Sequence, residues 1–265
     1  MKMIRWGLIV VSAFFLVQCA SVPITGRKQL ILMPESEMVQ MSLTSYSDFL
    51  KANKLSTDAV NTRRVKTVGQ QIAAAVETYL KSQGMESLID GYQWEFNLVK
   101  SPEVNAWCMP GGKVVVYEGI LPVCKNDDGL AVVMGHEIAH AIARHGNERI
   151  SQQMLIQAGS TAAAYALKNK PEETQALLGA AIGLGANYGM ILPFSRKHEL
   201  EADRLGLIFM TMAGYNPEEA IPFWTRMAEA SAGQKVPEFM STHPSDVHRI
   251  EQIRALMPEV LNYKK

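Results

Sequence analysis

Two histidines four residues apart, His136 and His140, enclose Glu137 in the run Met134-Gly135-His136-Glu137-Ile138-Ala139-His140-Ala141, and this run limits the fold more than any other feature. Side chains at i and i+4 lie one turn apart on the same helix face, so the two imidazoles can grip one metal ion if the segment is helical. Val132, Val133, Met134 and Ile138 can face a core around them. Asn126 is a candidate cap and Asp127 and Asp128 suit a helix N-terminus, which predicts a helix from there to about His145. Glu137 sits where it can reach a water held by the metal. Zinc brings such a water toward a pKa of ~7, so a carboxylate can take its proton at neutral pH and pass it to a leaving amine. The plain alternative is a pair of structural histidines on an amphipathic helix.

A catalytic zinc site takes three protein ligands and keeps a place for water. Glu199-Leu200-Glu201-Ala202-Asp203 offers the third. Glu199 and Asp203 are again four apart and share a helix face, while Glu201 points away from that pair. One of these carboxylates would bind the metal and the other would accept the distal N–H of a histidine. A solvated acidic face is the alternative for this segment taken alone.

The surrounding chain is mainly helical. Val60, Val65, Val68, Ile72, Val76 and Leu80 recur at mostly helical spacing after a candidate cap at Ser56 or Thr57, with Gly84 at the end. A helix is expected after Pro34 and another from near Ser195 to Gly214. Asn216-Pro217-Glu218-Glu219 starts a further one, and a last helix follows Pro244. Three strands are expected: Tyr92 to Val99, Asn105 to Met109, and Val114 to Tyr117, with Pro110-Gly111-Gly112 as a turn. The fold class is therefore α+β with a small three-stranded sheet. With 48% hydrophobic residues, 265 residues support one large domain or two small ones. The formal net charge is zero, which gives no electrostatic case for nucleic acid. Ala158 to Leu192 is rich in Ala and Gly. Gly179, Gly183, Gly185 and Gly189 would let helices approach closely. Asn187 interrupts its apolar part, which favours a buried or lid-like helix pair over a membrane span.

Lys2 and Arg5 followed by the apolar run Trp6 to Val17 read as a signal peptide, too short for a spanning helix. Leu16-Val17-Gln18-Cys19 resembles a bacterial lipobox, although Gln18 stands where a small residue is usual. That resemblance implies residues 1–18 as a leader, lipidation at Cys19, and, with Ala20 next, outer-membrane sorting facing the periplasm. Residues 19–33 would be an extended arm and 34–265 the domain. Cys108 and Cys124 remain, and an even pair in an oxidising compartment can form a disulfide or stay as two thiols. His145, His198 and His248 read as surface or helix-end residues, and the fifteen methionines as core filling.

Thr25-Gly26-Arg27, Asn105-Ala106-Trp107, Pro110-Gly111-Gly112, the His136–His140 run, Ser195-Arg196, Glu199 to Asp203 and Thr242-His243-Pro244 together carry a family resemblance. The chain resembles the bacterial extracytoplasmic branch of the CAAX-prenyl-endopeptidase-type zinc metallopeptidases, which also includes mitochondrial inner-membrane quality-control peptidases. The resemblance implies a zincin-like (gluzincin) domain holding one Zn2+ per chain through His136, His140 and Glu199. Glu137 would be the general base and Asp203 the partner behind a ligand. It also implies misfolded or unassembled envelope proteins as substrates. An edge strand at Asn105, Ala106 and Trp107 would pair with extended substrate. His243 would come near the metal, as a fourth ligand or as a stabiliser of the oxyanion, unless it merely opens the last helix. A non-cleaving chaperone or binding protein on the same scaffold is the rival, and the intact Glu137 argues against it.

Overall fold

The computed structural model describes residues 19–168, 192–231, 238–243 and 248–264. The glycines expected to pack helices between residues 179 and 189, and the leader at 1–18, lie outside them. Two compact units are present, residues 36–143 with 196–265, and residues 1–35 with 144–195.

The larger unit is built around a three-stranded sheet of β3 (Glu95–Val99), β4 (Ala106–Met109) and β5 (Lys113–Tyr117), ordered β3-β5-β4. β3 runs parallel to β5, and β4 is antiparallel to it. Every residue of β5 is buried. The reason is that helices cover both faces. On one face Tyr46 and Phe49 of α1 (Glu35–Ala52) meet Trp107 and Tyr117. On the other lies α2 (Ala59–Ser82), whose Val65, Val68, Ile72, Val76 and Leu80 are buried. Val60, grouped with them by spacing, is exposed, and the cap is Asp58 in place of Ser56 or Thr57. The Asp58 carboxylate accepts from the N–H groups of Val60 and Asn61 at 3.0 Å each, while Ser56 Oγ is spent on Glu118 and on Asp58 N–H. β3 begins at Glu95, three residues into the alternating run, and its Phe96 to Val99 are all buried because both faces are covered. Asn97 is buried and its amide donates to Tyr46 OH at 2.6 Å.

A short α3 (Leu121–Cys124) leads into α4 (Asp127–Ile142), which packs on α2 and β4. Asn126 caps α4 by accepting from Gly129 N–H at 2.7 Å. The helix stops at Ile142 instead of His145 because Arg144 takes a left-handed conformation, φ 57°. α6 (Leu192–Met212), α7 (Ala220–Ser231), α8 (Glu238–Thr242) and α9 (Arg249–Val260) complete this unit, with the start of α6 counted in the other. Asn216 accepts from Glu218 N–H, so the expected start is there, but a 3-10 turn precedes α7. No helix among the described residues is long and apolar enough to cross a membrane.

The smaller unit contains the hairpin of β1 (Cys19–Ser21) and β2 (Lys28–Leu30) and the helix α5 (His145–Leu167). The expected arm is thus a paired ribbon turned at Thr25-Gly26. Arg27 reaches Glu148 with a two-pronged hydrogen bond at 3.0 and 2.8 Å.

Of the two states left open for Cys108 and Cys124, they are free thiols. Cys108 sits on β4 opposite Val114 and feels the charge of Glu137. The Cys124 carbonyl is backed by Gly129 and bonded by Arg226. Burial pushes the Cys124 thiol up to about 12. His145 opens α5 and His248 caps α9, helix-end positions as expected; His145 is buried and His248 exposed, while His198, within α6, is buried where a surface or helix-end position was expected.

Candidate metal centre

The centre depends on how closely α4 and α6 cross. A Cβ on Gly135 would stand 2.7 Å from the Gly206 carbonyl oxygen, and one on Gly206 would stand 2.7 Å from His136 N. Only hydrogens at both positions let the backbones touch. That contact sets His136, next to Gly135, against Glu199 and Asp203, which lie on the Gly206 face of α6. Gly206→Ala should therefore cost roughly 1–3 kcal/mol and lower the metal retained per chain. Thermal melting with metal analysis checks this, and unchanged values would mean that the crossing tolerates a methyl group.

Nitrogen and oxygen atoms of His136, His140, Glu199 and His243 all lie within 4.8 Å of one another. His136 Nε2 is 3.1 Å from His140 Nε2 and 3.3 Å from Glu199 Oε2. His140 Nε2 is 3.4 Å from Glu199 Oε1. His243 Nδ1 is 3.3 Å from His136 Nε2 and 3.2 Å from each Glu199 oxygen. Zinc–nitrogen bonds of ~2.0–2.1 Å in a tetrahedron give edges of about 3.3–3.4 Å. The donors are thus spaced as a tetrahedral site requires, and the residues fit a divalent metal. His243 lies just past α8, its N–H donating to Phe239 O at 2.9 Å, and its ring stacks on Phe239 with centroids 4.7 Å apart.

Asp203 stands behind the ligand set. Its Oδ1 is 3.0 Å from His136 Nδ1, so the ring donates there and turns Nε2 toward the other donors. Burial alone would lower the His136 pKa, but its bonds to Asp203 and Glu199 carry it up to about 9. Burial favours the neutral acid at Glu199, yet His140, His136 and His243 hold it well below the usual carboxylate range. Asp203 is likewise held low against its burial by Arg249 and His136.

Glu137 is buried beside this group. Its Oε1 makes no hydrogen bond, and His243 Nε2 lies 3.4 Å away. Burial raises its pKa, opposed by the positive character of His243 and His136. A buried carboxylate oxygen without a donor, next to a metal-sized cluster, is free to take a proton.

β4 lies at one edge of the sheet and packs against α4. The three residues assigned to the substrate edge differ in use. Tyr117 N–H donates to the Asn105 carbonyl, and Asn105 Oδ1 accepts from Ala106 N–H at 2.9 Å. Trp107 faces α1, 4.9 Å from the Phe49 ring, so it anchors the sheet. By ladder alternation Ala106 and Cys108 turn their main-chain groups outward.

Three residues of the centre had not been singled out from sequence. Arg249 bonds Asp203, Trp224 lies under Arg249, and Phe239 supports His243 while its N–H donates to Val104 O at 3.1 Å, just before β4. Nothing in their spacing marks them.

A two-histidine helix, a carboxylate from a second helix and a buried glutamate oxygen without a hydrogen bond beside them have the arrangement of a zincin-like metallopeptidase domain. The profile of Peptidase family M48 matches residues 60–257, and the chain belongs to that family. Mitochondrial metalloendopeptidase OMA1 of Schizosaccharomyces pombe is 40% identical over 71% of this chain and 52% of its own length. Metalloendopeptidase OMA1, mitochondrial, of Homo sapiens is 29% identical over 98% of this chain and 50% of its own. The Beta-barrel assembly-enhancing protease of Escherichia coli is 28% identical over 66% and 38%. The chain spans about half the length of the curated relatives it matches, or less.

Proposed function

We propose that this chain is a zinc-dependent endopeptidase acting on unfolded segments of misfolded or unassembled cell-envelope proteins. The observation that carries the reading is the spacing of His136, His140 and Glu199, with the unbonded Glu137 oxygen beside them. Bound zinc supplies Lewis acidity that acidifies water and polarises a peptide carbonyl. His136 and His140 would hold the ion from α4, and Glu199 from α6. Glu137 takes the proton from the attacking water and returns it to the leaving amine. The outer edge of β4 holds the substrate extended through main-chain pairing, which is largely blind to sequence and favours unfolded chains. The purified protein should cut unfolded casein, lose this activity to a chelator and regain it with zinc. No cleavage by zinc-replete protein would favour the non-cleaving binder.

The position of His243 supports a latent resting state, because its Nδ1 stands where a fourth donor belongs. His243→Ala should then raise casein turnover. A fall on the order of 10²-fold without metal loss would instead mean that the ring stabilises the oxyanion, and a change in stability alone would mean that it only supports the fold.

The lipobox-like run ending at Cys19 supports an address on the bacterial envelope through a lipid anchor. Intact mass should show acylated Cys19, and Cys19→Ser should release the protein from membranes. An unmodified Cys19 in membrane-bound protein would refute the anchor.

A further inference from the structure

Arg249, at the start of α9, is a cation with only 3% of its surface exposed. Its Nε donates to Asp203 Oδ2 at 2.8 Å and its Nη2 to Asp203 Oδ1 at 2.7 Å. This is the paired fork that fixes a carboxylate in both distance and plane. The guanidinium carbon lies 3.4 Å from the centroid of the Trp224 ring, which closes one face of it. Nη2 is also 3.5 Å from His136 Nδ1 and 3.8 Å from Glu199 Oε2. Asp203 Oδ1 therefore receives two donors at once, Nη2 of Arg249 and Nδ1 of His136.

We infer that Arg249 is a positioning residue for the metal centre: by clamping Asp203 it fixes the plane and tautomer of His136, so that Nε2 is presented to the metal. The inference rests on the reading of His136, His140 and Glu199 as metal ligands. The logic is steric and electronic together. A carboxylate bonded along both oxygens cannot rotate about its own axis. With both its oxygens taken up by guanidinium N–H donors, the carboxylate accepts from His136 as well, so His136 Nδ1 carries the proton and Nε2 offers its lone pair. There is also a charge argument. Glu137, Glu199 and Asp203 bring three buried negative charges, and a divalent ion with Arg249 balances them. A role through charge alone makes the opposite prediction for metal binding, because removing a nearby cation favours another cation.

The test measures zinc affinity by chelator competition in the full protein, for wild type, Arg249→Lys, Arg249→Ala and Asp203→Asn, with thermal melting of each metal-free form. Loss of a partner behind a metal ligand typically weakens binding by ~10–100-fold. Arg249→Lys keeps the charge but loses the fork, so zinc should bind about 10-fold or more weakly. Arg249→Lys combined with Asp203→Asn should lose little more than the worse single variant, because both break one clamp. Millimolar guanidinium should restore zinc affinity to Arg249→Ala but not to Asp203→Asn. In zinc-loaded wild type, the His136 Nδ1–H should give a slowly exchanging downfield proton resonance, broadened in Arg249→Lys. Wild-type affinity in Arg249→Lys, tighter zinc binding in Arg249→Ala, or lowered melting with unchanged affinity would each overturn the inference while leaving the metal site intact. Failure of wild type to bind zinc at all would overturn the ligand reading, and this inference with it.

Discussion

Glu137→Gln should retain zinc and fold while casein cleavage falls by about 10²–10⁴-fold, the range set by removing a general base. Glutamine has almost the same shape, so the buried slot on α4 stays filled. The amide cannot accept and hold a proton as the carboxylate does. Wild-type Glu137 Oε1 is buried without a hydrogen bond, and burial raises its pKa. Replacing it removes an unfavourable buried charge, so stability should not fall. Melting temperature, zinc per chain and turnover measured on one sample separate these effects. Near wild-type turnover would remove Glu137 from the mechanism. Loss of zinc along with activity would mean that it is a ligand.

Glu199→Gln and Glu201→Gln should differ sharply in metal retention, although the two residues are two apart on one helix. Both side chains are buried, so burial alone does not separate them. What separates them is direction. Glu199 oxygens lie 3.2 to 3.4 Å from nitrogens of His136, His140 and His243, and Glu201 is not in that group. Removing a negative ligand should weaken zinc binding by at least about 100-fold, since even residues behind a ligand cost 10–100-fold. Glu201→Gln should change affinity by less than about 10-fold, within what a change outside the ligand shell costs. Zinc per chain after dialysis against a weak chelator measures both. Equal losses would show that the wrong face of α6 has been assigned to the metal.

The parts of the centre that follow a helical repeat could be read from sequence. His136 with His140, and Glu199 with Asp203, each announce a face by a spacing of four, and Asn126 announces where α4 begins. The three strands and their turn were also legible, because β-branched and aromatic runs ended at Pro110-Gly111-Gly112. What was not legible depends on contacts between distant elements. Gly135 and Gly206 are ordinary helix glycines until α4 and α6 are laid across each other. Arg249 comes next to Asp203 only after the chain has passed through α7 and α8. That the Trp107 ring packs against Tyr46 and Phe49 likewise needed α1 laid on the sheet. Whether Cys108 and Cys124 pair was open for the same reason, since parity of cysteines says nothing about where their side chains point. Where α4 ends depended on the left-handed Arg144, and a residue with a Cβ gives no warning of that conformation.

The central claim is that His136, His140 and Glu199 hold one zinc ion beside Glu137. Crystals of the zinc-loaded Glu137→Gln protein, measured on both sides of the zinc absorption edge, test it most directly. One anomalous peak is expected at ~2.0–2.2 Å from His136 Nε2, His140 Nε2 and a Glu199 oxygen. A fully loaded crystal with its zinc elsewhere, or bound without Glu199, would contradict the account.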